Sequence, residues 1–282
     1  VKVALAQFSP HLGDIGKNLE IHLQTIEKAR RDKARLVVFP ELSLSGYTLM
    51  DLVPEAALDP ARDPALKKLA AASRAIDIAL GFVEEGGRGL FYNSAAYLSA
   101  GRIIHIHRKA FLPTGGMFEE GKFFAPGKSF RTFASLFGKT GLMVCRDFLN
   151  SGSSYALFSG GADVIIVISA APGRGFAEGA AFASSRMWEL MAEAVSFFST
   201  AFVVYCNRVG FEDGKAFAGG SFIFGPSGSR LVKAREMEEE LVLADLRLED
   251  IRAVRKNRTF LRENRPEVVL RSLKGIIDAP ED

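Results

Sequence analysis

Apolar runs recur along the chain and break against charged or glycine-rich turns, so their lengths and periods can be read as elements. Val1 to Phe8 alternates like a strand, and Gly16 to Ala34 then carries Leu19, Leu23, Ile26 and Ala29 at helical spacing with charges between them. "ARLVVFPE" reads as a short buried strand and Ala65 to Ala75 as a second helix. "IALGFVEE", "LFYNSAAYLS" and "GRIIHIHRKA" follow as consecutive strands separated by glycine-rich turns. "TGLMVCRD" and "ADVIIVISA" are buried strands with a short helix near Ser154 to Ser159 between them. Glu178 to Thr200 is helical, and "FVVYCNRVG", "GGSFIFGPSG", "RLVKA" and "ELVLADL" return to strands before a helix over Leu248 to Lys256. Helices that alternate with single strands in some regions and flank runs of strands in others predict a layered α/β fold with mixed sheets. No linker or internal repeat interrupts the 282 residues, so a single domain over 1–282 is expected.

Composition narrows the function classes. A hydrophobic content of 48% is enough for a large core, and 36 basic against 33 acidic residues are interspersed, giving +3 without the field that nucleic acid or an anionic membrane would call for. "VIIVISAA" and "AVSFFSTAFVVYC" fall short of the ~20 residues that cross a bilayer. The start "VKVALAQF" lacks the pattern of a secretory signal, so a cytoplasmic location is expected. Two cysteines, Cys145 and Cys206, are too few for a disulfide framework, and each needs its own explanation.

Several motifs fail. "FGKTG" ends like a phosphate loop, but Phe133 stands where the first glycine belongs, and no G-x-S-x-G turn is present to hold a nucleophilic serine. His105 and His107 lie two apart on a strand and so share a face, as two metal ligands would, or as two partly buried rings would. A stronger pattern comes from three strand ends. Glu41 in "VVFPELSLSGY", Lys109 in "HIHRKAFLP" and Cys145 in "GLMVCRDF" each sit where an apolar run gives way to a loop. A carboxylate can take a thiol proton, a cation can stabilise thiolate and oxyanion, and a sheet fixes such groups at one edge.

In this order the three segments resemble the Glu-Lys-Cys signature of the nitrilase superfamily, the carbon-nitrogen hydrolases, and the resemblance covers nearly the whole chain. "VALAQFSPHLGDIGKNL" is similar to that family's opening strand and helix, "FEEGKFFAPG" to its loop with a second glutamate, and "NRTFLRENRP" to its C-terminal tail. "PELSLSGYTLMDL" and "HRKAFLPTGGMFEEGKFFAPG" are most similar to the glutamine-hydrolysing domain of glutamine-dependent NAD synthetases, although no ATP-using domain follows here.

The resemblance implies a four-layer α-β-β-α sandwich whose tail, about 255–282, packs at a dimer interface in a homodimer or larger homo-oligomer. It implies Glu41 as general base, Lys109 as cation, Cys145 as nucleophile and Glu120, chosen over Glu119 by the aromatic-x-Glu pattern, as the carboxylate that positions Lys109 and substrate. Lys109 is expected to lower the Cys145 thiol pKa, and the Arg146 backbone N–H to hold the oxyanion. No metal or organic cofactor is implied. Tyr47, Arg146, Ser169 and Arg174 are the expected substrate-binding residues, with Arg174 and Ser169 on a substrate carboxylate. The implied activity is hydrolysis of a small-molecule carboxamide to acid and ammonia through a thioester. True nitrile hydrolysis, and an ammonia-supplying or non-catalytic role beside a separate synthetase chain, stand as alternatives. The sequence departs from the common pattern at "CRDFLNSGSSYALF", where Arg146 replaces an acidic or aromatic residue and Pro-Glu is missing.

Overall fold

The computed structural model describes residues 1–175 and 182–279. Two six-stranded sheets dominate it. The first has the order β14-β1-β2-β3-β4-β5, formed by Glu240–Asp245, Lys2–Gln7, Leu36–Val38, Asp77–Glu85, Phe91–Ser99 and Arg102–Arg108. The second has the order β13-β12-β9-β8-β7-β6, formed by Arg230–Lys233, Phe222–Phe224, Phe202–Asn207, Val164–Ser169, Gly138–Val144 and Thr132–Ser135. Each sheet has three parallel strands at its centre, β1-β2-β3 and β7-β8-β9, with antiparallel strands outside them. Helices α1 (Ile15–Arg31) and α2 (Pro64–Ala72) make the crossovers of the first trio, and α4 (Ser151–Ser159) and α5 (Ala183–Ser199) those of the second. Between them lies α3, the single turn Glu120–Phe123, and α6 (Leu248–Asn257) follows β14.

Alternation along the strands explains the layering. Val3 and Leu5 of β1 and Leu36 and Val38 of β2 share a core with the second sheet, whereas Ala4, Ala6, Val37 and Phe39 pack on Leu19, Ile26, Leu66 and Leu69 of α1 and α2. On the other side Trp188, Ala192 and Val195 of α5 and Leu157 of α4 join the core of the second sheet. The order is therefore helix, sheet, sheet, helix, the four-layer sandwich expected. Strands buried on both faces read as unbroken apolar runs, which is why β7, β8 and β9 stand out in the sequence.

The differences from expectation are local. The helix expected over 178–200 is described from Ala183 onward, and the start of the reading at 178–181 lies outside the described residues. A hairpin of β10 (Val209–Glu212) and β11 (Lys215–Ala218) leaves the second sheet where one longer strand was read. The tail contains a further amphipathic helix, α7 (Pro266–Ile277), none of whose residues is buried. Among the described residues no helix is long and apolar enough to cross a membrane.

Candidate active site

The C-terminal ends of the parallel strands in both sheets meet at one point. Glu41 lies three residues past β2, on a loop drawn tightly against β3. A Cβ on Gly81 would come within 2.3 Å of the Leu42 nitrogen and 2.8 Å of the Glu41 Cα, so only glycine lets the two backbones approach. The Glu41 carboxylate is fully buried and its oxygens are occupied. Oε1 accepts from the Asn93 amide and from Lys109 Nζ, both at 2.7 Å, and Oε2 accepts from the Ala170 backbone N–H across the sheets at 2.7 Å.

Lys109, directly after β5, is fully buried as well. Its ammonium donates to Glu41 Oε1 and, at 2.6 Å, to Glu120 Oε1 at the start of α3. Tyr47 donates its hydroxyl to that same Glu120 oxygen, while Glu120 Oε2 is buried without a partner among the described residues. Burial by itself depresses an ammonium, but Glu120 and Glu41 outweigh it and hold the Lys109 pKa above its ordinary value. Burial, with Glu41 close by, pushes the Glu120 carboxyl up despite the lysine. A charge this deep costs several kcal/mol unless it is paired, so the three groups depend on one another.

Cys145 begins a 3-10 turn, Cys145–Leu149, immediately past β7, with φ of 44°. A non-glycine residue in the left-handed region is strained, and here the buried Cys145 lines a cavity. Its thiol pKa is pushed up, chiefly by burial and then by Glu41; Lys109 acts the other way and is outweighed. Lys109 thus pulls the thiol pKa down as expected, but burial and Glu41 leave it above its ordinary value. Burial and the two nearby carboxylates all favour the neutral thiol.

The cavity has a volume of about 760 Å³. Arg146 and Arg174 line it together with Cys145, and Phe118, Met187 and Trp188 supply much of its apolar wall. Two expected substrate contacts fall elsewhere. Ser169, at the end of β8, is fully buried, close to both Cys145 and Tyr205 rather than in the lining of the cavity. Tyr47 opens on a neighbouring hollow beyond Phe118, whose ring it meets edge-on at 6.3 Å, and reaches the site through Glu120. Cys206 lies between the sheets with its thiol on the carbonyls of Val38 and Ala6, as a core residue does. His105 stacks on Phe133 and His107 binds Asp147. Among the described residues no group of three metal-ligating side chains forms.

Three supporting groups escaped the sequence reading. Asn93 is a lone amide inside "FYNSAAYLS", a polar interruption of a strand that pointed to it. Asp147 binds both the nucleophile turn and the loop after Lys109, through Val144 N, His107 Nε2, Ala110 N and Phe111 N at 2.8–3.1 Å. Glu212 receives the Tyr47 and Thr48 backbone N–H groups and is held by the buried Arg208, so the hairpin braces the Glu41 loop. Nothing local in the sequence marks the last two, because apart from Val144 and Arg208 their partners are 36 to 165 residues away.

A buried carboxylate pair shares one ammonium, and a cysteine in the left-handed region lines the cavity close by, an arrangement that can pair a nucleophile with a base. Residues 2–256 match the model of the carbon-nitrogen hydrolases, and the chain belongs to that family. Among its relatives, a glutamine-dependent NAD(+) synthetase of Acinetobacter baylyi is 30% identical over 89% of this chain. The match covers only 45% of that synthetase, so this chain spans less than half of its length. An (R)-stereoselective amidase of a Pseudomonas species is 32% identical, over 94% of this chain and 92% of the amidase. The crystal structure of a carbon-nitrogen hydrolase from Helicobacter pylori G27 superimposes with a TM-score of 0.82 at 26% identity, covering 95% of this chain and 96% of the other.

Proposed function

We propose that this chain is an amidase that cleaves a carboxamide C–N bond, giving a carboxylic acid and ammonia through a thioester on Cys145. The observation that carries the reading is the fully buried Glu41–Lys109–Glu120 chain ending beside the strained Cys145. Glu41 takes the thiol proton as sulfur attacks the carbonyl carbon, and the charge that develops on oxygen is held by Lys109 and the Arg146 backbone N–H. Glu41 returns the proton to the departing nitrogen, ammonia leaves, and the same carboxylate activates the water that hydrolyses the thioester. Glu120, whose Oε2 is unpartnered among the described residues, offers that oxygen to the amide N–H. The high thiol pKa accounts for an obligatory base, and a positioned base supplies on the order of 10²–10⁴ in rate.

The likeness to a NAD(+) synthetase favours a second reading, in which the ammonia feeds a separate synthetase chain and the amide is glutamine. Both readings require the nucleophile. Cys145→Ala should abolish ammonia release with an unchanged circular dichroism spectrum and melting curve, and Cys206→Ala should remain active. Full activity in the Cys145→Ala protein would end the reading.

A further inference from the structure

Resting on the amidase reading, we propose that Ser169 and Tyr205 are positioning residues whose hydroxyls form a donor chain onto the Cys145 sulfur, holding it as it turns anionic in attack and again when the thioester is hydrolysed. The placement comes from the register of the second sheet. β7 and β8 run parallel with Val144 beside Ile168, so Cys145 and Ser169 follow side by side where the two strands end. β8 and β9 pair Val167 with Tyr205 and Ser169 with Asn207, and with a period of two Ser169 and Tyr205 fall on one face of the sheet. All three side chains are buried. The Tyr205 ring stacks against Trp188 at 5.3 Å and Phe222 at 4.5 Å, centre to centre, so packing fixes where its hydroxyl sits. The residue after Ser169, Ala170, gives its backbone N–H to Glu41 at 2.7 Å, so the end of β8 serves nucleophile and base together.

The chemistry of the two hydroxyls fits that placement. Outside this cluster neither has a hydrogen-bond partner among the described residues. A buried hydroxyl without a partner is costly, so packing alone favours Ala at 169 and Phe at 205. Within the cluster the Ser169 hydroxyl interacts with the Cys145 thiol and with the Tyr205 phenol, and favours the anion of each. A serine hydroxyl has one hydrogen to give and two lone pairs to receive with. Tyr205 donates to the Ser169 oxygen, which leaves the serine hydrogen for sulfur. A neutral thiol is a weak acceptor and a thiolate a charged one, so this bond strengthens only as the proton moves from Sγ to Glu41. A contact worth more in the transition state than at rest accelerates the step, and the same contact stabilises the sulfur when it leaves the thioester. No proton crosses the hydroxyl chain itself. Ser169 stands outside the cavity lining, so it acts on the sulfur rather than on substrate.

The thiol is read directly by iodoacetamide on a Cys206→Ala parent, in which Cys145 is the one remaining cysteine. At neutral pH, Ser169→Ala and Tyr205→Phe should each lower the alkylation rate constant at least fivefold. Ser169→Thr, which keeps the hydroxyl, should stay within twofold of the parent, whereas Ser169→Val, of the same shape without the hydroxyl, should fall with Ser169→Ala. Loosened packing would open the site and raise the rate, so a fall shared by the variants that lack a hydroxyl is not a structural effect. Ammonia release is measured with glutamine, asparagine and butyramide. For each amide the parent hydrolyses, Ser169→Ala should lose at least tenfold in kcat with KM little changed. Parental alkylation rates in Ser169→Ala and Tyr205→Phe overturn the proposal, and leave the amidase reading standing where ammonia release still depends on Cys145. No ammonia from the parent with any of the three amides, beside slower alkylation in both variants, supports the hydroxyl pair and counts against the amidase reading alone.

Discussion

Asp147 shows what a single residue does for this site. Its Oδ1 receives the backbone N–H groups of Ala110 and Phe111, and its Oδ2 receives Val144 N and His107 Nε2, so one carboxylate fixes Cys145 and Lys109 to each other. The carboxylate itself is fully buried. Asp147→Ala should cost about 3–5 kcal/mol in denaturant unfolding, since it strands several buried donors at once. Asp147→Asn, which keeps the shape but turns an acceptor into a donor, should lower kcat at least tenfold with KM for the amide little changed, as expected of a positioning residue. Wild-type kcat in Asp147→Asn would remove it from that role. At this scale Glu41, Lys109 and Cys145 were legible because a charged or nucleophilic residue closing an apolar run is unusual. Asp147 and Glu212 were not, because only their partners give them meaning.

At the level of elements, α1 carries a titration built into its packing. His22 is buried against β2 and its loop: Nδ1 donates to the Asn18 carbonyl, leaving Nε2 to accept from the Ser43 hydroxyl, so the ring is neutral. Burial, opposed only by the bond to Asn18, brings its pKa down to about 4 from 6.5. Between these values the unfolded chain binds a proton that the folded one does not. Stability therefore rises with pH across this window and is lost as pH falls from about 6.5 toward 4. His105, pushed down to about 4 chiefly by burial, adds to the same slope. The unfolding free energy of the wild type between pH 4.5 and 6 should change by about 1.4 kcal/mol per pH unit more steeply than that of His22→Gln. Equal slopes would show that His22 is not the linked group. Long amphipathic α1 and the two-face-buried strands were readable from period alone. The four-residue strand β6 and the β10-β11 hairpin were not, since four residues carry too little period to separate strand from loop.

On the scale of the molecule, the two halves repeat one plan. Strand, α1, strand, α2, strand in the first half answers strand, α4, strand, α5, strand in the second, and each third strand is followed by an antiparallel pair, β4-β5 and β12-β13. Stacking the halves face to face brings the ends of β2, β5, β7 and β8 together, which is how residues 41, 109, 145 and 170 meet. Among the described residues one helix face stands out as apolar and uncovered. Val269, Leu270, Leu273, Ile276 and Ile277 fall on one face of α7 and are 37–79% exposed, with Glu267, Arg271 and Lys274 opposite. We propose that this face is covered by a second copy of the chain. Light scattering should give a dimer or larger oligomer for the wild type and a lower mass for Leu270→Glu/Ile276→Glu, and a monomeric wild type would refute it. Local periodicity and the charged ends of apolar runs were enough to determine the layered fold class, most elements and three candidate site residues, since each depends on neighbours within a turn or a strand. The tertiary structure alone decided that burial and Glu41 push the Cys145 thiol pKa up, that Ser169 lies beside Cys145 outside the cavity lining, and that two arginines line the cavity with no carboxylate among its described lining. Those properties arise from burial and from Coulomb interactions between groups far apart in the chain, and no local pattern encodes them.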